Sequence, residues 1–119
     1  MSNVTLKYIE RVLALMNHPK WVSPVLEAML LIKAPDGRIY LDDLTRDHIA
    51  ADLNMKRNAV NQAIFQMTQR RILLRQGRAF LPQPEVFPNI DYTRVHRLRL
   101  IVDVDNDVRI YLGNADDFS

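Results

Sequence analysis

Apolar side chains recur at helical spacing at the start of the chain. Leu6, Ile9, Leu13 and Met16, with Lys7, Glu10 and Arg11 between them, predict an amphipathic helix from Val4 to about Asn17. Pro19 ends it. Ser23 followed by Pro24 predicts an N-cap and a proline at the first helical position, opening a second, largely apolar helix that runs to about Lys33. Ala34-Pro35-Asp36-Gly37 is a turn signal, in which proline presets φ and glycine accepts a positive φ, and a short strand over Ile39 to Leu41 should follow. Thr45 is placed to cap a third helix over Arg46 to Leu53, with Ile49 and Leu53 buried and Ala50 keeping that face narrow. Asn54-Met55-Lys56 breaks the pattern. A fourth helix is then predicted from about Arg57 to Arg71, with Val60, Ala63, Ile64, Met67 and Arg71 on one side and mostly polar residues on the other.

Beyond residue 71 the period changes from helical to alternating. Residues 72–75 and 79–82 predict two short strands joined by a turn at Gln76-Gly77-Arg78. The stretch 82–93 carries three prolines and no clear period, which predicts an extended connection over the surface. A last hairpin is expected from Arg97 to Val104 and Val108 to Leu112. A three-residue turn there pairs Val104 with Val108, Val102 with Ile110 and Asp103 with Arg109. The tail after Gly113 reads as loose. No internal repeat or low-complexity tract interrupts this order.

A chain of 119 residues, 48% hydrophobic and 25% charged, has the length and usage of one globular domain. The expected organisation is an α+β domain with a core over 22–82, to which an N-terminal helix (1–18) and a C-terminal hairpin (94–113) are added. The longest apolar run is the five residues Ala28 to Ile32, and the start lacks a basic segment followed by a hydrophobic one, so neither membrane insertion nor secretion is expected. Without cysteine there is no disulfide framework, thiolate metal site or thiol nucleophile, and a cytoplasmic location follows. The net charge of +2 hides a segregation along the chain. Residues 54–80 contain Lys56, Arg57, Arg70, Arg71, Arg75 and Arg78 and no acid, giving +6, whereas 1–53 sum to −1 and 103–119 to −4. Such a strip attracts polyphosphate through Coulomb steering and counterion release.

The order helix, helix, strand, short helix, turn, longer helix, hairpin, carried by DHIAADLNMKRNAVNQAIFQMTQRRILLRQGRAFLP, resembles the winged helix-turn-helix superfamily over roughly Val22 to Pro82. Ala50 looks like its small residue at the helix crossing, Leu53 and Val60 like the apolar pair flanking the turn, and Ile64 like the helix anchor. Lys56 departs from the Ser or Thr that many members place at the cap. The resemblance implies a recognition helix over about 57–71 in the major groove and a wing over 75–79 on the backbone. The first two turns then present Arg57, Asn58, Asn61 and Gln62 to base edges: amides suit adenine, and arginine suits guanine or a phosphate. Lys56, Arg75, Gln76 and Arg78 are the expected phosphate and wing residues. Phe65 falls near the polar side, to meet a thymine methyl or to pack under the wing.

Other chemistries find little footing. The string Asp103 to Asp107 begins like a calcium loop, but Val108 stands where glycine is required and Asn114 where the bidentate glutamate belongs. His18, His48 and His96 are too scattered to form a ligand set, and solvated or capping roles are their default. No triad, phosphate-binding glycine loop or paired carboxylates stand out, so the expectation is a protein that is not an enzyme and needs no cofactor or metal. The leading expectation is a sequence-specific double-stranded DNA-binding transcriptional regulator of prokaryotic, plasmid or phage type. Because one helix covers few base pairs, it should act as a homodimer, joined through the first helix, the last hairpin at Leu98 to Leu112, or both. The alternatives are a plasmid or phage replication-initiation protein binding an origin, and a winged-helix protein-interaction module that does not bind DNA.

Overall fold

A computed structural model describes residues 4–94, 97–102 and 108–113. The Asp103–Asp107 string, His96 and the tail after Gly113 lie outside the described residues. Helix α1 (Val4–Leu15) buries Thr5, Tyr8, Ile9, Val12 and Leu13. That stripe is rotated from the expected one, leaving Leu6 and Met16 at its margin. The cause is polar: the Thr5 hydroxyl donates to the Tyr92 carbonyl at 3.1 Å and the Tyr8 hydroxyl to the Val86 carbonyl at 2.6 Å, so both side chains enter the core with their hydrogen bonds made.

A 3₁₀ turn, Lys20–Val22, runs straight into α2 (Ser23–Leu31). Ser23 is already helical at φ −56°, ψ −46°, and Val22 before it is helical too, so the expected Ser23 cap does not form. Its hydroxyl is buried without a hydrogen-bond partner. The helix stops two residues before the expected Lys33. The Gly37 N–H then donates to the Ala34 carbonyl at 2.8 Å, and Gly37 takes φ +91°, as the turn signal requires. Strand β1 (Ile39–Tyr40) follows.

Helix α3 (Asp43–Asp52) begins three residues before its expected start, because the cap is Asp42 and not Thr45. The Thr45 N–H donates to Asp42 Oδ1 at 2.8 Å, so Thr45 supplies the donor that the cap satisfies. Asn54, at φ +54°, turns the chain into α4 (Arg57–Gln69), which buries Val60, Ala63, Ile64 and Met67 as its period predicts. Lys56 occupies the cap position with extended backbone and no side-chain cap. Arg71 is not on the buried side as expected: α4 closes at Arg70, and Arg71 takes φ +62° and stays exposed while the chain turns to bury Ile72.

Strands β2 (Leu73–Gln76) and β3 (Ala79–Pro82) pair antiparallel, and β1 adds to the other edge of β3 in a sheet of order β1-β3-β2. Gln76 pairs with Ala79, so the connection is the two residues Gly77-Arg78 and not three. Gly77, first in that turn at φ +63°, supplies the conformation a tight hairpin needs.

The 82–93 stretch departs most from expectation. It packs as a strap, with Val86, Phe87 and Tyr92 buried, the Phe87 ring edge-on to Tyr8 at 5.8 Å, and the Tyr92 hydroxyl donating to the Pro88 carbonyl at 2.7 Å. One core therefore runs from Tyr8 to Tyr92, and α1 is part of it instead of an addition to 22–82. The last hairpin, β4 (Arg97–Val102) with β5 (Val108–Gly113), forms beside α1. Its register is offset by two residues from the expected one: Val102 faces Val108 and Leu100 faces Ile110. Alternation fixes only the parity of pairing, and a shift of two preserves it. The chain is thus an α+β domain whose described residues include four α-helices, a three-stranded antiparallel sheet and a two-stranded hairpin.

Candidate nucleic-acid interface

Opposite the buried side of α4, at 100° per residue, lie Asn58, Gln62, Phe65 and Gln69, all exposed. Three carry uncharged amides. Phe65 is 57% exposed, which rules out packing under the hairpin and leaves an aromatic ring on the same outward stripe.

The other two residues expected to read bases stand on the flank facing α3, and each is already engaged. Arg57 Nη2 donates to Asp43 Oδ1, and its Nε lies 3.5 Å from Asp47 Oδ1, within ion-pair range but without the alignment of a hydrogen bond. Asn61 Oδ1 accepts from Arg46 Nη1 at 2.8 Å, while Arg46 Nε is anchored on the Leu41 carbonyl at 2.9 Å. Sequence reasoning missed Arg46, Asp43 and Asp47. They precede Arg57 by 10 to 14 positions on a different helix, in a segment that counts as slightly acidic. A linear charge count carries no signal for such a pairing.

Arg46 links this flank to the hairpin. Burial, and then the Arg57 guanidinium, pull its pKa below the ordinary arginine value; Asp43 opposes the shift and Arg75 adds to it. Arg46 on α3 thus feels the like charges of Arg57 on α4 and Arg75 on β2. On the hairpin Arg75 folds back, its Nε donating to the Gly77 carbonyl at 3.2 Å and its guanidinium lying 5.8 Å from the centre of the Phe80 ring. Lys56, Gln76 and Arg78 are exposed. Arg70 donates to the Asn17 carbonyl at 2.9 Å, tying α4 to the end of α1.

A second surface feature lies on the far side of α3. Leu31, Ile32, Tyr40 and Leu44, each between 43% and 66% exposed, line an open groove of about 750 Å³ whose rim includes Glu27 and Asp52. The apolar stripe of α1, expected to offer a surface for a partner, is instead spent inside the chain's own core. His18 is buried and not solvated, with Nε2 unpartnered, whereas His48 is exposed. Among the described residues no group of three or more His, Asp or Glu is placed to hold a metal ion, and no helix is long and apolar enough to cross a membrane. Compared with known proteins, the chain matches no family model, none of the curated proteins and none of the solved structures.

Proposed function

We propose that this protein is a winged helix-turn-helix that binds double-stranded DNA sequence-specifically and acts as a cytoplasmic transcriptional regulator. The observation that carries the reading is the outward stripe of α4, where Asn58 and Gln62 are exposed, together with exposed Lys56 at the helix start and exposed Arg75 and Arg78 on the β2–β3 hairpin. A helix fits the major groove, amides on its first turns meet base edges, and cations on a neighbouring hairpin meet phosphates. In this account α4 reads, Lys56, Gln76 and Arg78 hold the backbone, and Arg75, steadied by Phe80, supports them. A homodimer doubles the short site one helix can read. Occupancy at promoters supports a regulator, and occupancy at an origin the replication-initiation reading.

The apolar groove favours a second reading, a protein-interaction module. Its acidic rim suits an apolar segment flanked by Lys or Arg. Backbone amide shifts during titration with a mixed-sequence duplex separate the two. DNA binding by α4 moves Asn58, Gln62, Phe65, Gly77 and Arg78. Absence of any shift there overturns the reading and leaves the groove as the functional surface.

A further inference from the structure

The two helices α3 and α4 do more than pack. Three charged side chains of α3 reach the flank of α4 and restrict what its reading residues can offer. Arg57 has donors only, and the Asp carboxylates hold the edge of its guanidinium that carries Nε: Asp43 accepts from Nη2, and Asp47 stands 3.5 Å from Nε. The opposite edge, with one N–H from each terminal nitrogen, is left for a ligand, and its parallel donors match the N7 and O6 acceptors of guanine. A phosphate also accepts in this way, but two carboxylates beside the guanidinium repel the full charge of a phosphate more strongly than the acceptor dipoles of a neutral base edge.

Asn61 is restricted in the same sense. Arginine has no acceptor, so the atom of Asn61 that faces Arg46 at 2.8 Å is its oxygen, and the amide nitrogen takes the other branch. Pairing with adenine needs the oxygen and the nitrogen of one amide together. With one lone pair of its oxygen taken by Arg46 and that oxygen turned toward α3, Asn61 offers a ligand chiefly its N–H donors.

We infer that α3 sets the base preference of α4: Asp43 and Asp47 hold Arg57 for a guanine, and Arg46 turns Asn61 into a donor, so the start of the reading helix selects guanine where its amide-rich sequence suggests adenine. This rests on the DNA-binding reading and adds the base class it selects. Asp43, Asp47 and Arg46 are positioning residues. They give the inference a distinctive signature, because removing the two carboxylates takes negative charge away from the DNA surface. Binding to unrelated duplex should tighten while discrimination falls, two changes that a structural defect does not combine.

The experiment is selection from a randomised duplex library with the full chain, followed by competition binding. In the wild-type site, changing the guanine assigned to Arg57 to adenine weakens binding on the order of tenfold. Arg57→Ala erases the preference at that one position. Asp43→Asn/Asp47→Asn shrinks it to within about threefold and tightens binding to an unrelated duplex. Arg46→Met frees the Asn61 oxygen and lets adenine in at a second position. The carboxylates are exposed and the α3 cap is Asp42, so the double variant should unfold at the wild-type temperature. The inference is overturned if the position erased by Arg57→Ala is not guanine, or if the double variant keeps its discrimination. Failure of the DNA-binding reading looks different: wild type then enriches no sequence and binds no duplex.

Discussion

Single residues decide between reading and holding. Asn58 and Gln62 are exposed and placed away from the core, so Asn58→Ala/Gln62→Ala should change stability by less than about 0.5 kcal/mol while flattening base preference at the positions they meet. Thermal unfolding and competition binding on the same sample check both halves. Asp42 does the reverse. Its carboxyl, hydrogen-bonded by Thr45 and then favoured by His48, titrates below the usual carboxylate value. The stability it confers is therefore present above the ordinary aspartate pKa of about 3.9 and is lost as pH falls through its lower folded value. Asp42→Ala should melt at a lower temperature than wild type at neutral pH, Asp42→Asn less so, and the gap to Asp42→Ala should close in acid. The cap also shows how far single residues are legible. Asp42 and Thr45 are both good cap formers at the two ends of one cap hydrogen bond, and local sequence favours neither. Ser23 and Pro24 carry a sound cap signal, overridden by a 3₁₀ turn that enters the helix from behind.

At the scale of elements, what was legible follows a period. The buried face of α4, the two short strands and the β1 turn are written in local repetition, and the outward stripe follows by subtraction. Hidden from the sequence were contacts between elements: the strap over α1, whose prolines erase any period, and the α3 carboxylates that partly neutralise Arg57. The strap makes its own prediction. Tyr8→Phe leaves the buried Val86 carbonyl without its donor and should cost about 1–3 kcal/mol in denaturant unfolding. Burial holds the Tyr8 phenol well above the ordinary tyrosine value, and Tyr92 is raised likewise by burial and by Tyr8. A raised phenol pKa means the unfolded chain loses its protons first, so stability declines as pH rises past about 10 and onward through the folded values. Tyr8→Phe should flatten that alkaline decline. Met67→Ala, which empties a fully buried site where α4 meets the core, should cost about 2–5 kcal/mol and loosen the helix that carries the candidate site.

For the whole molecule, the linear charge map and the folded charge map differ in one instructive way. The +6 of residues 54–80 is not a uniform cationic face: Arg57 is held by two carboxylates, Arg70 is turned to a carbonyl of the α1 end, Arg71 is exposed just past α4, and Lys56, Arg75 and Arg78 are exposed at the start of α4 and on the β2–β3 hairpin. On the proposed reading, electrostatic affinity rests on these three and base choice on α4 and its α3 supports. Fluorescence anisotropy of a labelled mixed-sequence duplex across a salt series tests this most directly, comparing wild type with Lys56→Ala/Arg75→Ala/Arg78→Ala. The expected result is wild-type binding that weakens steeply with salt, and a triple variant with weaker binding whose log–log slope is shallower by about 2–3, close to 0.9 for each lost phosphate contact. Absence of wild-type binding at the lowest salt, or a triple variant with an unchanged slope, would contradict it.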